Sequence, residues 1–286
     1  MRLITWNIQW GCGMDGRVDL ERIVAHARAM ADFDVICMQE IADNFPGLEG
    51  NDDRDQFAEL QRLLAGYEMV AGYGVDIAAA GGRRSRFGNA VFSRFPVSSI
   101  RRHALPWPPD AAAKTSMPRV AVEATLALPF GPLRLITSHL EYYSKVQRRE
   151  QASRLRALHD EACQRAAVST PPSDEANATF RPAPQTPSAI LLGDFNFPVT
   201  DPSYEEIQAP LDGGGPAFRD AWRLVHGGRP HAATFCVHDD RYSKQPYCCD
   251  FAFVSADMAA RVKVIEVDVR TKLSDHQPVL LELDSR

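Results

Sequence analysis

Apolar, strand-like segments that carry a polar residue at one end recur along this 286-residue chain, and they restrict its possible folds more than any other feature. RLITWNI (2–8) and SAILLGDFN (188–196) are two examples, rich in branched and aromatic residues as β-strands are. Helical spacing of apolar residues follows in segments such as VDLERIVAHARAMA (18–31) and KVQRREQASRLRALHDEACQRA (145–166). Strands that partly form hairpins and partly alternate with helices predict an α/β fold, with two sheets face to face and helices outside.

Composition is that of an ordinary globular protein, with 45% hydrophobic and 24% charged residues. The net charge of −5 argues against a general basic surface for duplex nucleic acid. The stretch 169–188, STPPSDEANATFRPAPQTPS, lacks a hydrophobic period and is rich in Pro and Ser. It predicts a mobile surface insertion within a single domain of residues 1–286, because the motifs of interest lie on both sides of it.

The cysteines and the N-terminus bear on location. Six cysteines show no regular disulfide framework, which indicates a reducing compartment. The start MRLITWNIQW lacks the apolar region of a secretion signal, and no apolar run is long enough to span a bilayer. We therefore expect a cytoplasmic protein without a membrane partner. A zinc site from Cys236, His238, Cys248 and Cys249 is an alternative, but their spacing favours core cysteines.

Polar residues with acid, amide or imidazole side chains lie at the ends of the predicted strands or interrupt them. One such residue ordinarily marks the start of a loop, but strand ends on one edge of a sheet can converge on one pocket. Glu40 follows largely apolar residues and Asp250 lies in an aromatic strand, so each needs a cation or a hydrogen-bond partner. A hard divalent metal suits Glu40 and an imidazole suits Asp250. The whole set is Asn7, Glu40, Asn89, His139, Asp194, Asn196, Asp250, Asp275 and His276.

The segment ILLGDFNFP (190–198) admits two interpretations. Asp194 and Asn196 are two residues apart, so an extended strand would place both side chains on one face. Gly, Asp and Asn are also common turn formers, which would make the segment a strand that ends in a turn. The surrounding polar set favours a catalytic role, with Gly193 permitting a close backbone approach.

Short motifs that contain these residues follow one another in a fixed order along the chain: WNIQ, QE, GNAVFSRFPV, TSHLE, GDFN, CDFAFVS and SDHQPV. They resemble the ordered motifs of the endonuclease/exonuclease/phosphatase superfamily of metal-dependent phosphoesterases. This resemblance covers residues 4 to 280 and implies a four-layer α/β sandwich, in which two mixed β-sheets pack face to face with helices on both outer faces.

The resemblance also implies roles for the residues that would hold the metal and activate water. Glu40 would be the main ligand of Mg²⁺ or Mn²⁺, with Asn7 beside it. Asp275 would lie near the metal, where it could bind a second ion. Asp194 would orient or deprotonate the attacking water, and Asn196 would hold Asp194 or a phosphate oxygen.

The remaining family roles concern the phosphate. His276 would contact the scissile phosphate, held in orientation by Asp250, while His139 and Asn89 line the phosphate pocket. These residue types suit phosphoester hydrolysis, which consists largely of charge neutralisation and in-line positioning. We expect a phosphodiesterase or nuclease that uses an activated water. A phosphomonoesterase acting on a small metabolite or lipid headgroup and a catalytically silent binding module are the alternatives.

Several features bear on the substrate. Arg148 could reach the phosphate, and Tyr142 and Tyr143 could stack on a base, although capping or packing would also explain the tyrosines. The basic segment 83–87 is either a second phosphate contact or a solvated loop. The acidic segment 47–55 would repel a duplex, so a nucleotide or single-stranded nucleic acid is favoured. No protein partner is predicted.

Overall fold

The computed structural model describes residues 1–168, 179 and 183–284, so most of the insertion predicted for 169–188 lies outside the described residues. Five α-helices and twelve strands are found in these ranges. The helices are α1 (Leu20–Met30), α2 (Gln56–Leu63), α3 (Lys145–Ala167), α4 (Pro202–Gln208) and α5 (Ala221–His226). The strands are β1 (Arg2–Asn7), β2 (Val35–Asp43), β3 (Glu68–Ala78), β4 (Arg84–Ser93), β5 (Val97–Ala104), β6 (Val120–Leu128), β7 (Gly131–His139), β8 (Ala189–Asp194), β9 (Phe218–Asp220), β10 (Asp250–Ser255), β11 (Val262–Val267) and β12 (Val279–Leu283).

Each sheet has six strands and one parallel pair. The first sheet has the order β11-β12-β1-β2-β4-β3, and the second has the order β5-β6-β7-β8-β10-β9. β1 and β2 are parallel and joined through α1, while β7 and β8 are parallel and joined through α3. The other neighbours are antiparallel, so both sheets are mixed. β2 contacts β7 and β8 across the interface, which brings the two parallel pairs together.

Three apolar layers fill the space between four layers of secondary structure. Leu3 and Leu192 lie in the core between the sheets, whereas Ile4 packs with Ile23 of α1 on the outer face of the first sheet. Leu155 of α3 lies in the corresponding layer outside the second sheet. Leu3 and Ile4 are both fully buried, because a strand covered on both faces is apolar on both faces. The predicted four-layer α/β sandwich is confirmed.

Some short elements were not predicted. β5 is an edge strand whose residues are alternately half-buried and exposed, and polar or charged residues lie on both of its faces, which weakens the apolar signal. α4 has only seven residues and begins where Asp201 accepts a hydrogen bond from the Ser203 amide. α5 and β9 are shorter still. No helix within the described ranges is both long and apolar enough to cross a membrane.

Candidate active site

A cavity of about 320 Å³ lies where the carboxyl ends of the two parallel strand pairs meet. Its lining includes Glu40, His139, Asp194, Asp275 and His276, which are far apart in the sequence. The structure therefore brings the predicted carboxylates and imidazoles together, with the first sheet and the second each supplying part of the set.

A β-bulge in β2 directs Glu40 into this cavity. Met38 pairs with Ala90 and Ile41 pairs with Gly88, so Gln39 and Glu40 together oppose the single residue between them. The sequence predicts that the strand ends at Glu40, but β2 continues to Asp43. Glu40 has a φ of 60°, which is uncommon for a residue other than glycine. Without the extra residue, strict alternation would point Glu40 toward the helices that cover the outer face.

Asn7, the last residue of β1, connects two of the carboxylates. Its Nδ2 donates to Glu40 Oε1 at 3.1 Å and to Asp194 Oδ2 at 3.0 Å. Its Oδ1 accepts a hydrogen bond from the Gln9 amide at 3.1 Å. The amide therefore holds a carboxylate of each sheet in a set position.

Gly193 brings β8 close to β7 just before Asp194. It has a φ of 137°, and a Cβ atom there would lie 2.0 Å from the Ser138 carbonyl oxygen. β8 ends at Asp194, and Asn196 follows in a left-handed conformation with a φ of 54°. The two side chains are therefore not arranged along one extended strand, although both line the cavity.

Asn196 and Asp194 are linked through the backbone. The Asn196 amide donates to Asp194 Oδ1 at 2.9 Å, and Asn196 Nδ2 donates to the Leu140 carbonyl at 2.8 Å. One oxygen of Asp194 thus accepts a hydrogen bond from the turn that follows β8, while the other accepts one from Asn7.

His276 is held from several sides. Its Nδ1 lies 2.9 Å from Asp250 Oδ2, and its Nε2 lies 3.5 Å from Asp194 Oδ2. The Trp6 indole nitrogen donates to the His276 carbonyl at 3.0 Å. The Phe235 ring packs on the imidazole with centroids 4.5 Å apart. Asp250 thus has the imidazole partner that its buried position requires.

Burial shifts the three carboxyl groups in the same direction. It raises the pKa of Asp194 and that of Asp275 to about 6 each, and it raises the pKa of Glu40. Desolvation disfavours each charged form, and the neighbouring carboxylates add repulsion. A bound cation would let these groups ionise together.

The two imidazoles are shifted in opposite directions. Burial by itself would lower the pKa of His276, but the carboxylates of Asp250 and Asp194 outweigh it and raise that pKa well above its usual value. Burial, with the positive charges of Arg119 and His276, lowers the pKa of His139 well below its usual value. His139 Nε2 lies 3.4 Å from Asp194 Oδ2. One imidazole is therefore a charged donor and the other is neutral at pH 7.

The carboxylates form a suitable donor set for a divalent metal. Glu40 Oε1 and Asp194 Oδ2 face the same amide nitrogen, and Gln9 Nε2 donates to Asp275 Oδ2 at 3.0 Å. Oxygen donors of this kind suit Mg²⁺ or Mn²⁺. Asp194 and Asp275 are buried and Glu40 is half-buried, so a hard cation beside them would offset the cost of holding their negative charges away from water.

A second group of possible ligands lies deeper in the same site. Its donor atoms all lie within 4.8 Å of one another, and its members are Asp194, Cys249, Asp250 and His276. Burial raises the pKa of the Cys249 thiol well above its usual value, which disfavours the thiolate that binds metals. His276 and Asp250 already bond to each other. We therefore assign this group to hydrogen bonding, and the predicted ligands Glu40, Asn7 and Asp275 lie outside it.

Asn89 and the basic segment 83–87 do not lie where the sequence predicts. β4 begins at Arg84, so the segment is mostly strand rather than loop, and Asn89 lies inside that strand instead of opening it. Asn89 Nδ2 donates to the Val120 carbonyl at 3.0 Å, across the sheet interface. Asn89 lies near His139, in a small recess beside the main cavity.

The three residues after His139 that the sequence assigns to the substrate differ in position. Tyr142 and Tyr143 line the cavity. Arg148 is buried, and its Nη1 donates to the carbonyls of Glu141 and Tyr142 at 2.9 and 2.8 Å. Its guanidinium therefore stabilises the loop that carries the tyrosines, and Arg148 is not part of the cavity lining.

Sequence reasoning missed a group of lining residues, most of which lie outside the motifs. Arg119 precedes β6, and its Nε donates to Glu141 Oε2 at 3.3 Å. Two others have a positive φ, 46° at Gln9 and 45° at Trp10. Gln9 could have been identified from its place within the WNIQ motif. The segment that carries Phe235 and Tyr242 has no periodic pattern that would have identified these two residues. The missed lining residues are Gln9, Trp10, Phe45, Leu48, Val75, Phe87, Met117, Arg119, Phe235 and Tyr242.

The class of protein follows from the fold and the site together. An imidazolium and a cluster of carboxylates with the oxygen donors that a cation needs surround one small cavity, and such groups are suited to an anionic phosphate group. In a four-layer sandwich, this arrangement defines a hydrolase of phosphate esters.

Comparison with known proteins gives the family. The sequence matches the Endonuclease/Exonuclease/phosphatase family over residues 4–276, so the chain belongs to this family and the predicted resemblance is confirmed. A search of curated proteins found no significant match.

Three solved structures illustrate the similarity. The endonuclease/exonuclease/phosphatase from Beutenbergia cavernae DSM 12333 is 25% identical, with 99% of this chain and 71% of that chain covered and a TM-score of 0.66. The mannosyl-6-phosphatase of Bacteroides thetaiotaomicron VPI-5482 is 19% identical, with 99% of each chain covered and a TM-score of 0.64. The 3′ phosphatase NExo from Neisseria, bound to a product DNA hairpin, is 22% identical, with 99% of each chain covered and a TM-score of 0.59. The last two share the fold alone with this chain.

Proposed function

We propose that the protein is a Mg²⁺- or Mn²⁺-dependent phosphodiesterase that acts by in-line attack of water. The observation that carries this proposal is the position of His276, bonded to Asp250, beside Asp194 and the Asn7–Glu40 pair in one cavity. That arrangement supplies a charged donor, a carboxylate base and cation-binding oxygens within reach of a single phosphate.

Glu40 and Asp275 would hold the cation, with Asn7 beside them. The cation, when bound, supplies charge neutralisation at the phosphate oxygens and the leaving oxygen. Asp194 takes the proton of the attacking water, and a pKa near 6 suits a base that works at neutral pH. The water oxygen bonds to phosphorus as the bond to the alcohol oxygen breaks, and that oxygen takes a proton from solvent.

His276 donates from Nε2 to a phosphate oxygen, because Asp250 occupies Nδ1 and keeps the ring charged. His139, which is neutral and lies beside Asp194, shapes the phosphate pocket without repelling the cation. Asn196 keeps Asp194 in place through its backbone amide. These roles need no covalent nucleophile.

We also propose that residues 1–286 work as one domain, because strands of both sheets supply the site. The cytoplasmic location stays a prediction. The six cysteines are all free and buried, which agrees with a reducing compartment.

The proposal is tested with chromogenic phosphodiesters and phosphomonoesters in Mg²⁺ or Mn²⁺, with and without a chelator. We expect metal-dependent turnover, higher for the diester. Glu40→Gln and His276→Gln should each lower kcat by about a hundredfold or more, because each removes a preorganised charge. Glu205→Gln, at an exposed position on α4, is the matched control and should not change the rate.

Three results would contradict the proposal. Turnover that persists in the chelator would remove the role of the metal. No turnover across a broad ester panel, in a folded protein, would favour a binding module. Higher rates on monoesters would instead favour a phosphomonoesterase.

A further inference from the structure

Aromatic side chains cover one side of the cavity above the carboxylates. Tyr142 contacts Tyr143, Phe235 and Tyr242, with ring centroids 4.9, 6.3 and 6.0 Å apart. Phe235 and Tyr242 stack with centroids 5.8 Å apart. We call these four residues the tyrosine wall. Tyr143 and Tyr242 remain 46% and 48% exposed, so part of their ring surface is available to a ligand.

Further apolar residues, from β4 and from the segments that follow β1 and β2, complete the lining. Phe45 and Phe87 pack edge to face with centroids 6.1 Å apart, and Trp10 is held by a hydrogen bond from its indole nitrogen to the Glu49 carbonyl. The cavity is therefore polar at the phosphate end and largely apolar around it. Its volume, about 320 Å³, lies at the lower end of the range for small-molecule sites.

The arginines of the basic segment 83–87 are paired with acids. Arg83 and Arg86 form ion pairs at 2.6 and 3.6 Å, and Arg84 bonds directly to a carboxylate. Their partners are Asp53, Asp43 and Asp76 respectively. The paired carboxylates lower the net positive charge that this segment offers to a polynucleotide backbone.

The arginines closer to the cavity are also paired with acidic residues. Arg241, beside the tyrosine wall, pairs with Asp239 at 2.9 Å and with Glu49 at 3.6 Å. Among the described residues that line the cavity, Arg119 is the only lysine or arginine, and Glu141 is its ion-pair partner. The site thus has cationic groups for one phosphate and apolar surface for what is attached to it.

Resting on the proposed phosphoesterase activity, we propose that the substrate is a small phosphate ester whose alcohol carries an aromatic ring, and that this ring binds against the tyrosine wall. Tyrosine offers a flat, rigid surface that stacks on any planar ring, whereas a saturated alcohol would gain only apolar burial. A polymer would instead need a basic groove beyond the cavity.

Three esters with leaving groups of matched basicity test this: 3-phenylpropyl, 3-cyclohexylpropyl and propyl phosphate, as monoesters and as methyl diesters, with release of the alcohol measured in Mn²⁺. We expect kcat/KM to be about tenfold or more higher for the phenyl ester than for the propyl ester, with the cyclohexyl ester between them. Tyr143→Ser combined with Tyr242→Ser should remove most of this difference. Trp107→Ser, at an exposed aromatic residue outside the lining, should keep it.

The outcomes separate the two proposals. Equal kcat/KM for all three esters, with normal metal-dependent turnover, would overturn the ring-binding inference and leave the phosphoesterase standing. A single-stranded oligonucleotide hydrolysed with a tenfold higher kcat/KM than the phenyl ester would also overturn it. No turnover of any ester would remove the proposed activity itself, and the inference with it.

Discussion

Replacing Gly193 with alanine should disrupt the contact between β7 and β8 that places Asp194. The new Cβ would lie 2.0 Å from the carbonyl oxygen of Ser138 and 3.1 Å from the Ser138 amide nitrogen. Both atoms belong to the backbone of a central strand, so no side-chain rotation relieves the overlap. Gly193→Ala must therefore separate the two strands or shift the start of the turn.

Two contributions set the magnitude. A φ of 137° is strained for any residue with a side chain, which costs about 1–3 kcal/mol. The steric overlap adds about 1–3 kcal/mol or more, as overpacking in a close-packed core does. We expect Gly193→Ala to lower the free energy of unfolding by about 4 kcal/mol, a large share of the ~5–15 kcal/mol typical of a domain.

Gly131, the first residue of β7, provides a matched control outside the part of β7 that pairs with β8. Its φ is 118°, but a Cβ there would meet no atom within 4 Å. Gly131→Ala should therefore show the backbone strain alone, about 1–3 kcal/mol. The assay is urea unfolding followed by circular dichroism, with metal-dependent turnover measured on the folded fraction. Equal destabilisation by the two variants, or unchanged turnover in Gly193→Ala, would refute the argument that close strand contact positions Asp194.

Two further predictions concern charge. Mg²⁺ binding measured by calorimetry should weaken as the pH falls from 7.5 to 5. Asp194 and Asp275 have pKa values of about 6, so both are mostly ionised at pH 7.5 and mostly protonated at pH 5. Equal affinity at the two pH values would contradict this prediction. Asp250→Asn removes the carboxylate that keeps the His276 ring charged, so it should lower the pKa of His276 in an NMR titration of the imidazole. It should also reduce kcat/KM by about a hundredfold. An unchanged titration would show that Asp194 alone keeps the ring charged.

The sequence predicted the parts of the site that lie at the ends of regular strands. Asn7, His139 and Asp194 each end an apolar strand of a parallel pair, and parallel strands present their carboxyl ends on one edge. Pattern and residue type are enough for such positions. The four-layer fold could be predicted because its central strands are continuous apolar runs and because the ordered motifs resemble those of a family with that fold.

Positions set by irregular backbone could not be predicted in this way. The bulge at Glu40 left a trace in the sequence, because the outward apolar residues Ile36, Met38 and Ile41 are spaced by two and then by three. Tyr242 carries no such trace, since its place at the cavity depends on contacts in space. Arg148 is the opposite case, a residue predicted to contact the phosphate. It lies close in sequence to the site, but its guanidinium bonds backbone carbonyls instead.

The bulge in β2 interrupts regular strand pairing at the residue that we propose holds the cation. A chain that lacked residue 40 would restore strict alternation between Gln39 and Ile41 and relieve a left-handed backbone. The same deletion would remove the main carboxylate proposed for the cation. Deletion of residue 40 would therefore leave a more regular sheet without the proposed activity. A relative that lacks the extra residue should fold at least as well as this chain and should not hydrolyse phosphate esters.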